Sequence, residues 1–219
     1  MLDLFQKGGL VMYPLLLLSI ITLGIAIERI YFLSKTKMNT KEFINKIFLA
    51  LSNNLVGEAL ETCEKYTGAV ARMLKAGLQK HQKGREEVEK AITSSGSLEV
   101  AKMERGLSML QSVAGISPLI GFLGTVMGMI KSFESMGETG NASAVAIGIS
   151  EALITTAAGL IVAIPASFLK NYFTNKINNF VYEMEESSLN FLNSLEELEE
   201  KIAQRSSETA TIGGDYLEV

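Results

Sequence analysis

The sequence predicts an all-α membrane protein with three transmembrane helices and long cytoplasmic helical extensions. Its 47% of hydrophobic residues is ordinary for a soluble domain, so their distribution carries the argument. Residues 10–27 and 106–130 contain no Asp, Glu, Lys or Arg, and residues 139–169 contain one, Glu151. About 20 apolar residues cross a bilayer as a helix. Three such runs in one short chain therefore predict three spans.

The predicted segments follow from these runs and from the charges beside them. They are a short periplasmic N-terminus at 1–9, transmembrane helix 1 at 10–33, a cytoplasmic helical region at 34–105, transmembrane helix 2 at 106–131, a periplasmic loop at 132–143, transmembrane helix 3 at 144–169, a cytoplasmic helix at 170–204 and a disordered tail at 205–219. The first run is interpreted as a retained span, because Glu28 and Arg29 follow it without a small-residue cleavage site.

The basic residues predict the orientation of these spans, because Lys and Arg collect on the cytoplasmic side of membrane helices. They follow span one, precede span two and follow span three, at Arg29, Lys35, Lys37, Lys41, Lys46, Lys102, Arg105, Lys170 and Lys176. The N-terminus is therefore expected outside and the C-terminus inside. Lys131, at the outer end of span two, is an exception that we interpret as snorkelling to the interface.

The cytoplasmic segments are expected to be helical. Apolar residues at helical spacing predict helices over Lys41–Leu51, Leu55–Lys65 and Val70–Gln82. A charged helix beginning at Glu86 is expected to run into span two without a break. Span three is expected to continue past the membrane along a seam interrupted only by Ser188. The seam residues are Phe173, Ile177, Phe180, Met184, Phe191, Leu195, Leu198 and Ile202.

Composition excludes several classes of function. One cysteine, Cys63, cannot form an internal disulfide or a thiolate zinc site by itself. One histidine, His81, leaves no His pair for a metal or a catalytic triad. A net charge of −4 without a basic stripe argues against nucleic-acid binding. We therefore expect no metal, no cofactor and no nucleic-acid partner, and we rank an intramembrane enzyme far below a channel.

Glu151 is the main candidate for function. An ionised carboxylate within a bilayer costs about 2.5–3.5 kcal/mol even on lenient insertion scales. It is either a structural residue paired within a helix bundle or a carboxyl that binds and releases a proton, because desolvation disfavours its charged form. Small, mildly polar residues share its helix face, as expected against a pore or another helix. These are Ala144, Gly148, Thr155, Ala158 and Val162.

Three threonines are candidates for the same path. Thr155 shares the face of Glu151, whereas Thr156 lies about 140° away in an ideal helix of 3.6 residues per turn. Thr156 is therefore expected to face a neighbouring span, with Thr125 of span two as its partner. Threonine hydroxyls can carry water or cations, or hydrogen-bond to the preceding helical turn, and both alternatives stay open for each residue.

Glycines and prolines in the spans predict close packing and kinks. Small residues three or four apart let membrane helices approach closely. They recur in both spans at Gly121, Gly124, Gly128, Gly148 and Gly159. No Lys follows the first three of these as a phosphate loop requires. Pro118 and Pro165, near the inner ends of spans two and three, are candidate kinks.

Two long motifs resemble the MotA/TolQ/ExbB proton channel family. They are SPLIGFLGTVMGM at 117–129 and ISEALITTAAGLIVAIP at 149–165, and FQKGGLVMYP at 5–14 resembles the entry to the first span in ExbB and TolQ. The likeness covers about residues 5–33 and 100–180. Three predicted spans resemble the ExbB/TolQ branch rather than the four-span MotA branch. The cytoplasmic helices match mainly in layout.

This resemblance implies a homopentamer in the bacterial inner membrane, with spans two and three lining a pore. It implies an ExbD- or TolR-like partner with a transmembrane aspartate, and a TonB- or TolA-like rod that passes force to the outer membrane. By motif, Glu151 matches the pore glutamate, and Thr125 and Thr156 match the two pore threonines. Thr155 stands where many members have alanine.

Two function hypotheses remain open. The first is the proton-channel subunit of a motor driven by proton motive force. The alternative is a non-conducting oligomeric membrane scaffold, held by the glycine-rich spans and the cytoplasmic seam, in which Glu151→Gln would still function. The sequence leaves open the cargo, the choice between H⁺ and Na⁺, and the roles of Cys63 and His81.

Overall fold

The computed structural model describes residues 5, 7–36, 40–53, 55–140 and 142–214, and nearly all of them are helical. A short 3₁₀ turn, Gly9–Val11, precedes the first α-helix. The α-helices are α1 Met12–Thr36, α2 Thr40–Ser52, α3 Val56–Lys65, α4 Ala69–Leu78, α5 Arg85–Glu104, α6 Leu107–Thr139 and α7 Ala142–Gly214. A second 3₁₀ turn, His81–Lys83, lies between α4 and α5.

Three of these helices are long and apolar enough to cross a membrane, as the sequence predicts. They are α1, α6 and the first part of α7. The helices form two compact units, Met1–Tyr31 with Glu104–Lys176 and Phe32–Met103 with Ile177–Val219.

Helix α7 of the first unit buries small residues and exposes large apolar ones. Ala152, Ala163 and Ala166 of α7 are buried, whereas Ile161 and Phe168 on the same helix are 70% and 69% exposed. Water would penalise so much exposed hydrocarbon, at about 25 cal/mol per Å². Small residues inside and large apolar residues outside are typical of helices packed in lipid. The first unit is therefore built for a bilayer.

The second unit has the opposite pattern, with large apolar side chains inside. Phe43 and Ile47 of α2, Leu74 of α4, and Ile92 of α5 are all buried. The predicted seam of α7 contributes Met184, Phe191, Leu195 and Leu198 to the buried set. Such amphipathic helices, which bury one stripe and expose charges on the other side, are typical of a water-facing bundle.

The seam itself differs from the prediction in two details. Ser187 is the buried serine, at 1% exposure, and it donates a hydrogen bond to the carbonyl of Glu183, one turn before it. The predicted interruption, Ser188, is only half-buried. The side chain of Ile202, the last predicted seam residue, lies outside the described part of the chain.

The expected continuous helix from Glu86 into span two is wrong. Helix α5 ends at Glu104 and α6 begins at Leu107, with Gly106 between them at a φ of 84°. A positive φ of this kind is nearly free for glycine and strained for other residues. The break coincides with the predicted boundary at residues 105 and 106, but its cause is backbone geometry rather than the end of a polar segment.

Three other helix ends differ from expectation. The predicted loop at 132–143 is mostly helical, because α6 continues to Thr139 and stops at Gly140 with a φ of 62°. Helix α4 ends at Leu78 rather than at Gln82. Helix α7 includes residues 205–214, where a disordered tail is predicted, and residues 215–219 lie outside the described chain. Extending a formed helix needs no new nucleus, so polar residues without proline can continue it.

Candidate functional site

Helices α6 and α7 approach each other backbone to backbone. A Cβ added to Gly159 would lie 2.6 Å from the carbonyl oxygen of Ser117, and one added to Gly121 would lie 2.9 Å from the carbonyl oxygen of Thr155. Only glycine leaves room for such contacts. Side chains at these two positions would push the helices apart.

The same close packing continues toward the C-terminal end of α6 and the N-terminal end of α7. A Cβ on Gly128 would lie 3.0 Å from the carbonyl oxygen of Gly148, and one on Gly124 would meet the side chain of Thr155 at 2.5 Å. Beyond them, Gly148 lies against the hydroxyl of Ser132. Residue numbers fall along α7 as they rise along α6, so the two helices run antiparallel.

The buried stripe of α7 is rotated from the predicted face. Its members are Gly148, Ala152, Thr155 and Gly159, all of which are buried. Glu151 and Ala158, which belong to the predicted face, are half-buried at the edge of this stripe.

Thr125 and Thr156 meet across this interface. Their Oγ1 atoms share a hydrogen bond. Thr125 Oγ1 is also 3.2 Å from the carbonyl oxygen of Ala152, and Thr156 Oγ1 is 3.3 Å from the carbonyl oxygen of Gly121, so each hydroxyl proton has an alternative acceptor. Because each hydroxyl has more than one acceptor within reach, the pair can redirect its protons without breaking the helices.

Thr155 lies deeper than its neighbour. It is 1% exposed, and its hydroxyl donates to the carbonyl of Ala152 at 2.8 Å. This is the local bond to the preceding turn that threonine commonly makes in membrane helices. The structure therefore packs Thr155 against Gly124 of α6 and pairs Thr156 with Thr125.

Glu151 lies beside a cation and a backbone turn. Its Oε1 atom is 3.8 Å from Nζ of Lys131, and its side chain is 27% exposed. Gly9, at a φ of 64°, lies so close that an added Cβ would be 2.5 Å from Oε1. An open groove of about 460 Å³ adjoins the carboxyl. Its lining residues are Lys7, Ala146, Ile147, Ser150 and Glu151.

Sequence reasoning missed two of these neighbours. Lys131 is 20 residues from Glu151, and the sequence predicts that its side chain extends to the membrane–water interface. Gly9 belongs to the segment before span one, and no pattern links it to span three. The sequence did contain a signal that Lys131 is unusual, because the other basic residues beside the spans lie on the predicted cytoplasmic side and Lys131 does not.

Both candidate prolines lie inside continuous helices, Pro118 in α6 and Pro165 in α7. Proline has no N–H to donate to the carbonyl one turn earlier. Next to Pro118, Ser117 is fully buried, and its Oγ atom has no hydrogen-bond partner among the described residues. The close contact of α6 and α7 at Gly121, Gly124, Gly128, Gly148 and Gly159, called here the glycine crossing, begins at this point, because the carbonyl of Ser117 faces Gly159.

The ionisable and hydroxyl groups of this site are few. Within the described residues, no group of three or more His, Cys, Asp or Glu side chains is placed to hold a metal ion. Glu151 precedes Thr155 and Thr156 by four and five residues, which is about 6–7.5 Å along the helix axis. One carboxyl and a pair of hydroxyls a turn away can take up a cation and pass it between oxygen atoms.

Comparison with known proteins shows where this arrangement belongs. The model of the MotA/TolQ/ExbB proton channel family matches residues 66–186, more than half of the chain. The chain belongs to this family. The resemblance seen in the two motifs is thereby confirmed, and members of the family are channel subunits of transport systems rather than enzymes.

Relatives in the family carry ExbB names. An ExbB-like biopolymer transport protein of Synechocystis is 39% identical over 170 residues, covering 75% of this chain and 66% of that protein. A second from the same organism, ExbB-like 3, is 34% identical over 172 residues and covers 77% and 82%. An ExbB homologue of Methanothermobacter thermautotrophicus is 31% identical over 185 residues and covers 84% and 66%. The chain thus spans about two thirds of the length of two of these relatives.

Proposed function

We propose that this family member is the proton-conducting, stator-like subunit of an ExbB/TolQ-type motor that uses proton motive force. It works with an ExbD- or TolR-like partner, whose transmembrane aspartate supplies the second half of the proton path. The motor energises a TonB- or TolA-like protein that acts on the outer membrane, in biopolymer transport or envelope maintenance. The relatives' names, which refer to biopolymer transport, support this assignment.

The observation that carries the proposal is the placement of Glu151. It is the only charged residue between Ala142 and Leu169, and it stands at the edge of a packed helix pair, one turn from the Thr125–Thr156 hydroxyl pair. A lone carboxyl within a membrane span is by default a candidate functional group, because placing a charge there is costly. A site used only for packing would not need a charge there.

The assembly belongs to the same proposal. We expect a homopentamer in the bacterial inner membrane, with its N-terminus periplasmic and its C-terminus cytoplasmic. The large apolar side chains on the outside of the first unit are available for lipid and for neighbouring copies. Five carboxyls around one pore would titrate as a coupled set, because like charges this close cannot all ionise. Protonation of the partner's aspartate would then drive stepwise rotation of the partner's helices.

Two observations favour the alternative of a non-conducting scaffold. The ion pair of Glu151 with Lys131 gives the carboxylate a structural partner, and the glycine crossing is what a packing scaffold needs. In that case Glu151→Gln would assemble and still support function. The channel hypothesis and the scaffold hypothesis therefore predict different outcomes for Glu151→Gln.

The test is proton flux into liposomes that contain this protein with its ExbD/TolR-like partner, followed with an enclosed pH-sensitive dye. Glu151→Gln is compared with the wild type and with Glu134→Gln, a matched removal of an exposed carboxyl from the outer part of α6. We expect the first substitution to abolish flux and the second to leave it unchanged. Assembly of each variant is checked by size-exclusion chromatography.

If Glu151→Gln conducts as well as Glu134→Gln, the channel role of Glu151 is refuted and the scaffold is favoured. Repeating the assay with and without Na⁺ separates H⁺ from Na⁺ as the transported ion. Flux that requires a sodium gradient would contradict the proton assignment.

A further inference from the structure

The surroundings of Glu151 are cationic rather than neutral. Among the described residues, the charged side chains near it are Lys131 of α6, at 3.8 Å, and Lys7 of the N-terminal segment, on the same groove. Helix α7 adds no other charged residue between Ala142 and Leu169. The next acidic residue along α6 is the exposed Glu134, one turn after Lys131, and Lys131 is the cation that pairs with the carboxylate of Glu151.

Lys131 has the geometry of a movable counter-ion. Its side chain is 63% exposed while that of Glu151 is 27% exposed, so the ammonium can swing to water and the carboxyl cannot follow as easily. Lysine has a flexible stem of four carbons and a compact charge. The backbone turn at Gly9 lies against Oε1 of Glu151 and limits the space in which this carboxyl can move.

We infer that Lys131 is a built-in counter-ion that occupies Glu151 in the resting subunit, and that a cation entering from the outside loads the site only by displacing it. The inference rests on the proposed function, because it describes how the carboxyl of Glu151 is kept from binding the transported cation. Lys131 is thus a positioning residue rather than part of the conducting path. A subunit without a working partner would then leak little, since its carboxylate is already paired.

The physical reason is competition for one carboxylate. An opposite charge within about 4–6 Å favours the ionised form of a carboxyl, whereas burial favours the neutral form. With the lysine in place, uptake of a proton must first break the ion pair. Without it, no ion pair has to be broken before an incoming cation reaches the carboxyl.

The first test needs neither flux nor partner. A hydrophobic carbodiimide reacts with protonated carboxyls in apolar surroundings, and the extent of modification at Glu151 is measured by mass spectrometry of the assembled protein. We expect Lys131→Met to react at least about threefold faster than the wild type, since a charge partner at this range can alter protonation by tenfold or more. Lys131→Arg, which keeps the cation, and Lys80→Met, an exposed lysine of the second unit, should react like the wild type.

A second measurement uses the wild type alone, so that the inference stays testable if Lys131→Met fails to assemble. Salt screens an ion pair with an exposed partner. Labelling of wild-type Glu151 should therefore rise between low and high ionic strength, and that of Lys131→Met should not. Equal rates in the two proteins, or a wild-type rate independent of salt, would overturn the inference.

Flux measurements separate this inference from the proposed function. With the partner present, Lys131→Met should conduct faster than the wild type at one fixed outer pH, because no lysine has to be displaced. An unchanged rate, with Glu151→Gln inactive, would contradict the counter-ion and leave the channel intact. Flux in Glu151→Gln would instead contradict the channel itself.

Discussion

Replacing Gly159 with alanine inserts one methyl group where α6 and α7 are closest. The new Cβ would lie 2.6 Å from the carbonyl oxygen of Ser117 and 3.1 Å from Cα of Gly121. Ordinary contacts of this kind begin at 3.4 Å, so the first distance is 0.8 Å too short. Both obstacles are backbone atoms and cannot rotate away. The helices themselves have to separate.

The cost follows from that separation. A gap of 0.5–1 Å removes about a quarter to a half of the dispersion energy between facing atoms, and overpacking of this kind costs about 1–3 kcal/mol. Alanine also favours the helix over glycine by roughly 0.5–1 kcal/mol. Gly115→Ala on α6 shares this gain without the clash, because nothing lies within 4 Å of its added Cβ. Gly159→Ala should therefore be less stable than Gly115→Ala by about 1–3 kcal/mol.

The assay is unfolding of the full chain in mixed micelles by increasing dodecyl sulfate, followed by far-ultraviolet circular dichroism. Wild type, Gly159→Ala and Gly115→Ala are compared at one lipid-to-protein ratio. We expect the midpoint of Gly159→Ala to fall below that of both other proteins. Equal midpoints for the two variants would show that the helices are not in backbone contact, and the reasoning would fail.

Two further predictions concern the second unit. Burial opposes ionisation of Glu99, but hydrogen bonds from Arg72 at 2.5 Å and Lys102 at 2.7 Å outweigh it and hold the pKa of Glu99 below its ordinary value. The stability that these bonds provide should be complete above about pH 4.5 and lost as pH falls through the lowered pKa of Glu99. At neutral pH, Glu99→Gln should reduce the free energy of unfolding by about 1–3 kcal/mol. Thermal melts from pH 3 to 7 test both expectations. Burial also raises the pKa of the Cys63 thiol to about 12, so iodoacetamide at pH 7.5 should leave it unmodified in the folded protein.

Each of these has its own control. A melt of Glu99→Gln that falls with acid as steeply as the wild type would assign the acid sensitivity to other carboxyls. For Cys63, the same reagent in denaturant should modify the thiol completely. Rapid modification in the native protein would mean that α3 does not bury this residue as described.

The sequence predicted the parts of the fold that depend on composition along one helix. Runs without charge located the three apolar helices, and a single carboxylate within one of them singled out Glu151. The pairing of Thr156 with Thr125 also followed from helix geometry, because an angle of about 140° from the Glu151 face leaves few other neighbours.

What the sequence could not supply is register between helices. Glycines at three- and four-residue spacing occur on both α6 and α7, and many offsets would bring some of them together. Only the structure pairs Gly159 with Ser117 and Gly121. The helix break at Gly106 depends on one backbone torsion, and the contact of Lys131 with Glu151 depends on that register, so neither has a signature in periodicity.

The glycine crossing also restricts motion. With no side chains between the two backbones at Gly121 and Gly159, a screw displacement of α7 by one residue would put Leu160 against α6 in the place of Gly159. Rotation about either axis meets the same obstacle. The two helices are therefore expected to move as one rigid body. Any displacement within the subunit then has to take place on surfaces other than this helix pair.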